Sequence, residues 1–247
     1  MEKDYNSYQF SIKEVIFYSG MFLLLASGVS WLFYHTLWPA LLILPGLPFF
    51  MKEQKKRLIR KQKELLLTQF LTGIQTVSNG LTAGYSMENA MEEAFKESMK
   101  VYGEEGLFTE ELGGIVRKLK LNSSLETLLE DFGKRSHLED IENFGEIFAV
   151  ARRSGGDLNL IIRNTAESIS QQPPAQQEIA VSLAAKKMEQ NVMSLIPMLI
   201  LLYVDLAAPE FLEGLYHNPL GVGIMTSCLA VYLLAFIWGR RIVRIEV

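Results

Sequence analysis

Residues Asn143 to Ser168 read NFGEIFAVARRSGGDLNLIIRNTAES, two amphipathic helical stretches separated by Ser154-Gly155-Gly156-Asp157. On the first, Phe144, Ile147, Phe148 and Ala151 recur at the spacing of one apolar helix face; on the second, Leu158, Ile161, Ile162, Thr165 and Ile169 do the same. Gly155 can take the left-handed conformation that ends a helix, and the side chain of Asp157 can cap the next one. The stretch predicts a helical hairpin with its corner written into the sequence. The two ends of the chain, before and after it, are apolar enough to be membrane.

The apolar residues of this 247-residue chain make up an ordinary 49% of the total, but they gather at the two ends. Val15 to Met51 contains no Asp, Glu, Lys or Arg, and none occurs between Glu213 and Arg240. A net charge of −4 argues against nucleic-acid binding, which usually shows a basic excess. The single cysteine, Cys228, lies in an apolar run, so no disulfide framework forms within one chain.

Met1 to Glu14 (residues 1–14) is polar and mixed in charge, and Val15 to Tyr34 supplies about the 20 apolar residues that a bilayer core requires. A signal peptide would have a shorter apolar run and no second one close behind. Residues 37–51 are apolar again but carry Pro39, Pro45 and Pro48, so their helix is expected to be kinked or partly irregular. This gives a first transmembrane hairpin over 15–51, with spans at 15–34 and 37–51. Lys52, Lys55, Lys56, Arg57, Arg60, Lys61 and Lys63 follow, opposed only by Glu53. Basic residues beside a span stay cytoplasmic, and they can also hold anionic lipid headgroups.

Residues 52–190 read as helices, with no alternating β-branched run. Leu65, Leu66, Phe70, Ile74 and Val77 line one helix ending near Asn79-Gly80; Thr82 to Tyr85 turn a corner. Ser86 is placed to cap a helix bearing Met87, Ala90, Met91, Ala94, Phe95 and Met99. Gly103 and Gly106 break that helix, and Thr109 precedes Glu110 and Glu111, acidic residues suited to a helix start. Ser123 with Glu126, and Ser136 with Glu139, fit the capping-box spacing. Helices are expected over Leu125 to Phe132 and Leu138 to Arg153, giving a bundle of about six. Pro173-Pro174, within QQPPAQQ at 171–177, should interrupt the path that follows.

A C-terminal hairpin over 191–239 completes the expectation, with spans at 191–207 and 219–238. Val192 to Val204, which contains Pro197, is shorter than a full span of ~20 residues, so its helix must borrow turns from both flanks. The loop over 205–218 has Asp205, Glu210 and Glu213 but no Lys or Arg, which marks it as extracytoplasmic. Arg240, Arg241 and Arg244 return the tail, 240–247, to the cytoplasm. The fold class is therefore all-α: an integral membrane protein with two transmembrane hairpins flanking a cytoplasmic helical bundle, both termini cytoplasmic.

No catalytic constellation stands out. His35, His137 and His217 fall in different compartments under this topology, and no Gly-x-x-x-x-Gly-Lys-Ser/Thr loop is present. Gly155-Gly156 has no lysine or strand beside it, which favours a helix corner over a phosphate cradle. Glu139, Glu142 and Glu146 share a helix face that reads as solvated, although a cation could bind there if a partner supplied more oxygens. No cofactor, metal or enzymatic activity is expected.

Three stretches, Leu81-Thr-Ala-Gly84-Tyr-Ser86-Met-Glu88-Asn-Ala90, Ala151-Arg152-Arg-Ser-Gly155-Gly156-Asp157-Leu158 and Asn218-Pro219-Leu220-Gly221, resemble those of the type II secretion system F proteins. The chain is most similar to the platform proteins of tight-adherence (Tad/Flp) pili, as its ending Arg240 to Val247 and single F domain also suggest. The resemblance covers about Leu65 to the C-terminus. It implies a membrane scaffold that couples a cytoplasmic hexameric secretion ATPase to pilin insertion, in an oligomer with a second F-family platform protein, pilin subunits and membrane lipid as partners. The chain departs at Gln171 to Gln177, where charged, continuous helix would be expected. The residues it points to are Gly84, Ser86, Glu88, Arg152, Gly155, Gly156, Asp157 and Leu158, with Pro197 added as the kink in the third span. The alternative from the residues alone is a small oligomeric membrane transporter or channel.

Overall fold

A computed structural model describes residues 4–8, 10–154, 158–170, 174–216 and 218–243. In chain order the elements are α1 (Ile12–Tyr34), α2 (Trp38–Ile43), a 3-10 turn (Leu44–Gly46), α3 (Leu47–Thr82), α4 (Met87–Tyr102), α5 (Leu107–Leu119), α6 (Leu125–Ser136), α7 (Glu139–Ser154), α8 (Leu158–Ser170), α9 (Pro174–Ala207), α10 (Pro209–Tyr216) and α11 (Pro219–Val243). No strand occurs among the described residues. The chain forms two compact units, Met1–Gln9 with Gln54–Gln172 and Phe10–Glu53 with Pro173–Val247.

The first unit is built around Phe70 of α3, which has no exposed surface. Its ring meets Phe108 of α5 and Phe144 of α7 edge-on, each at 5.4 Å between centroids, and Phe132 of α6 at 6.1 Å. Leu66, Phe70, Ile74 and Val77 are all buried, the i, i+4, i+8, i+11 face the spacing predicted. Leu65 and Ile147 were expected on core faces and are exposed. Each lies one residue away from a buried neighbour, Leu66 or Phe148, that fills the core instead, and a step of about 100° turns it to the flank.

Several helix starts also differ from expectation. α5 begins at Leu107, before Thr109, because Gln69 reaches from α3 and its Oε1 accepts the Phe108 N–H at 2.9 Å. That bond satisfies one of the donors a helix start leaves orphaned. Thr109 is buried inside the helix and donates to the Ser98 carbonyl. Ser124, not Ser123, stands at the N-cap of α6 and bonds to Glu126. Ser136 closes α6, donating to Gly133 O and accepting from Leu138 N–H, so it does not cap α7.

The N-terminal residues, which looked like a plain polar lead, dock into this unit. Tyr5 is fully buried; its N–H donates to Arg135 O at 3.1 Å and its ring stands edge-on to Phe132. The phenol donates to Glu111 Oε2 at 3.1 Å. Arg135 grips both oxygens of Glu111 and places Nε 2.8 Å from Asp131. His137 pairs with Asp4 at 3.2 Å, and Lys63 donates to Asn6 Oδ1 and His137 O. Burial first, and then the Glu111 carboxylate, push the Tyr5 phenol well above its ordinary value. The hydrogen bond to Glu111 raises Arg135 against the opposing effect of its burial.

Among the described residues, the second unit holds three helices long and apolar enough to cross a membrane: Ile12–Tyr34, Ala185–Ala207 and Pro219–Gly239. The middle one reaches span length by taking turns from both flanks of Val192 to Val204. Residues 37–51 form no single helix. They pass through α2, the 3-10 turn and the start of α3, with Pro39, Pro45 and Pro48 each in the first two positions of an element, where a missing N–H costs nothing. Phe33, Leu212, Tyr216 and Met225 form the unit's buried cluster. Tyr216 donates to Leu32 O and Tyr232 to Ser194 O, tying α10 to α1 and α11 to α9. Pro174 begins α9, a position that tolerates proline; Pro173 lies outside the described residues. Pro197 sits inside α9 and removes the N–H that would bond the Met193 carbonyl.

Two measurements check the first unit. Phe70→Ala should destabilise it by ~3–5 kcal/mol and Ile147→Ala by less than about 0.5 kcal/mol, read from unfolding of the full chain in detergent. The folded-state value of Tyr5 lies above its unfolded value of about 10, so the stabilisation is complete below about pH 10 and is lost as pH rises further. Wild type should therefore lose stability relative to Tyr5→Phe above about pH 10. A difference in melting temperature that stays constant from neutral pH to beyond pH 10 would contradict this assignment.

Candidate functional site

Among the described residues, those singled out by the sequence are spread over separate helix ends, with Pro197 inside α9. At the α3–α4 corner, Gly84 has φ +88°, a left-handed conformation that side chains resist, and nothing crowds it. The chain then turns so that Tyr85 N–H bonds Gly80 O, and Ser86 Oγ accepts the Asn89 N–H at 3.3 Å, capping α4 as predicted. Glu88 follows in the first turn, exposed, where a carboxylate suits the positive end of the helix. Leu81 is buried while Tyr85 is 53% exposed, so the motif anchors on one side and presents an aromatic ring on the other.

The α7–α8 corner is supported from α6. A Cβ on Gly145 would lie 3.1 Å from Leu129 O, and one on Gly133 2.9 Å from Glu142 Cα, so the α6 and α7 backbones pack directly against each other. Arg152, near the end of α7, clasps Glu126 at the start of α6 through Nε–Oε1 at 3.0 Å and Nη1–Oε2 at 3.1 Å. Burial of Glu126 opposes its ionisation, but the Ser124 hydroxyl and the charge of Arg152 hold it below the usual carboxylate range. Gly155, Gly156 and Asp157 lie outside the described residues, and the chain resumes at Leu158, the first residue of α8. Ile162 on α8 is buried.

The α10–α11 corner accounts for Asn218-Pro219-Leu220-Gly221. Asn218 Oδ1 accepts the Leu220 N–H at 3.3 Å and Pro219 takes the first helical position. A Cβ on Gly221 would lie 2.3 Å from Leu215 O, so only glycine lets α10 fold back this closely. In the same unit Pro197 borders an apolar groove with Phe33, Met198, Leu201, Cys228 and Tyr232.

One pair in the second unit escaped the sequence reading. His35, left-handed at the end of α1, places Nε2 3.1 Å from Asp205 Oδ1 near the end of α9. The approach is not aligned as a hydrogen bond, and this buried oxygen has no hydrogen-bond partner. Trp31 and Tyr216 stand edge-on to the imidazole. His137 belongs to the other unit, and His217 lies outside the described residues. The missed residues, Tyr5, Gln69, Glu111, Arg135, His35 and Asp205, all act across helices. Only the i, i+4 spacing of Asp131 and Arg135 was visible in the sequence.

The corners are packing devices: caps, close glycines and one clasped ion pair. Glu139, Glu142 and Glu146 are exposed, and among the described residues no group of three His, Cys, Asp or Glu is placed to hold a metal ion.

The pattern of the type II secretion system (T2SS) protein F family matches residues 74–205, just over half of the chain, from the last third of α3 almost to the end of the span in α9. No curated protein and no solved structure matches the chain. The chain therefore belongs to the type II secretion system protein F family, whose members are non-catalytic membrane platform proteins of secretion and pilus-assembly machines.

Proposed function

We propose that the chain is the platform protein of a tight-adherence (Tad/Flp) pilus, or of a related secretion machine, and that it couples a cytoplasmic hexameric ATPase to pilin assembly or export. The observation that carries this reading is the extent of the family match. It takes in both the charged helices of the first unit and the apolar span Ala185–Ala207. The resemblance of Arg240 to Val247 to the corresponding stretch of the tight-adherence type favours that member of the family. The reading places 1–14, 52–190 and 240–247 in the cytoplasm and 205–218 outside. Support comes from the basic residues beside Met51 and Trp238 and from the acidic run at 205–218. The partners it implies are the ATPase, a second F-family protein, pilin subunits and lipid, in an oligomer.

A protein without its own energy source does work when a part moved by an ATPase is joined firmly to membrane spans. On the reading of the sequence, Gly155 and Gly156 form the corner that such a movement would load. Replacing both by valine is expected to abolish pilus assembly or export in a complemented deletion strain while the protein stays at its normal level. Normal assembly with a stably expressed double variant would sink the mechanical role of the corner. Among the described residues, the His35–Asp205 pair favours a channel instead, and ion flux through liposomes carrying the purified chain would support that reading. A tag at 205–218 should react only from outside the cell; labelling from the cytoplasm would overturn the topology.

A further inference from the structure

We infer that the N-terminal part of α3 is a binding site for anionic phospholipid headgroups, formed by Lys55, Lys56, Arg57 and Lys61 with Arg60 among them. All five are exposed. Elsewhere in the same unit several basic side chains are matched to carboxylates: Lys96 to Glu93, Lys100 to Glu97, Lys120 to Glu92, Lys134 to Glu130, Arg135 to Glu111 and Arg152 to Glu126. Lys55, Lys56, Arg57 and Lys61 have no such partner among the described residues. Four neighbouring cations without counter-charges repel one another, and this local cost makes sense when an external anion completes them.

The arrangement identifies the anion. At about 100° per residue, these five side chains spread over some 240° of the helix circumference. A nucleic-acid groove or an acidic protein surface meets one face of a helix. A layer of headgroups surrounds it. The same helix begins with Leu47, Pro48, Phe49, Phe50 and Met51, of which Phe49 is 77% exposed, so apolar side chains meet the basic ones without an intervening loop. At about 1.5 Å per residue, Lys55 to Lys61 extends over ~9 Å. A single headgroup layer is roughly 5–8 Å deep, and the lysine stems can reach back toward it. Screening acts over about 8 Å, so the whole set feels an anionic surface. The inference needs only that Leu47 to Met51 meets a bilayer, so it stands or falls apart from the pilus reading.

The test uses the full chain reconstituted in phosphatidylcholine bilayers. Its association with spin-labelled phosphatidylglycerol is compared with that of spin-labelled phosphatidylcholine. Wild type should prefer phosphatidylglycerol about threefold or more at low salt, and the preference should shrink as salt rises. K55Q/K56Q/R57Q/K61Q should bring the ratio close to one, K55R/K56R/K61R should keep it, and the control K96Q/K100Q should leave it unchanged. Circular dichroism of each variant confirms that the helices persist. Equal ratios in wild type and the quadruple glutamine variant would overturn the inference. So would a wild type without lipid preference that binds duplex DNA or polyglutamate through these residues, which would assign the patch to a soluble polyanion.

Discussion

The ring of Phe70 touches rings from α5, α6 and α7, so one side chain sets the rotational phase of four helices at once. Burying a phenylalanine completely is among the larger single contributions to a core, and edge-to-face contacts add to it. Once Phe70 points inward, Leu66, Ile74 and Val77 must follow it and Leu65 must turn away. Gln69, one step around the same helix, is carried into the interior, where an unpaired amide would be costly. Its position next to the start of α5 resolves that cost by accepting the Phe108 N–H. The aromatic core and the irregular helix start are thus one decision.

The second unit obeys the opposite rule for its surface. Leu24, Leu206, Leu220 and Trp238 are strongly exposed, an arrangement that only an apolar surrounding makes stable. Three of its tyrosines are turned toward neighbouring helices: Tyr34 toward Thr226, Tyr216 toward Leu32 O, Tyr232 toward Ser194 O. Each supplies a partner that hydrocarbon would not.

Local rules were legible wherever a helix end depended on its own residues. Gly84 and Ser86 did what their residue types require, and the prolines of 37–51 broke the segment as expected. The spacing of Phe144, Phe148 and Ala151 identified a buried face. Legibility stopped where a second helix intervened. Thr109 looked like a start signal, but a side chain 40 residues earlier sets that start. Ser136 fits a capping box by spacing, yet its hydroxyl is held by Gly133 O and Leu138 N–H. Nothing in the order of residues pairs Glu111 with Arg135 or His35 with Asp205, because such pairs are chosen by packing.

The Tyr5 network belongs to that second class and bears on how a platform could hold its spans. The chain leaves the first unit after Gln9 and α1 begins at Ile12, so the anchor sits only a few residues before an apolar helix. Pulling Tyr5 out would remove a buried ring, break its N–H bond to Arg135 O and leave Glu111 with one fewer donor. Arg135 would still hold Glu111, so the carboxylate is not stranded, and the dominant loss is the ring against Phe132. An anchor built that way resists extraction chiefly through apolar burial, which salt screens little, while its phenol fixes the register of the entering strand of chain. Under the proposed platform role, the chain passes between the first unit and the apolar helices at three points, after Gln9, Glu53 and Gln172, and the first of these is the one secured by Tyr5.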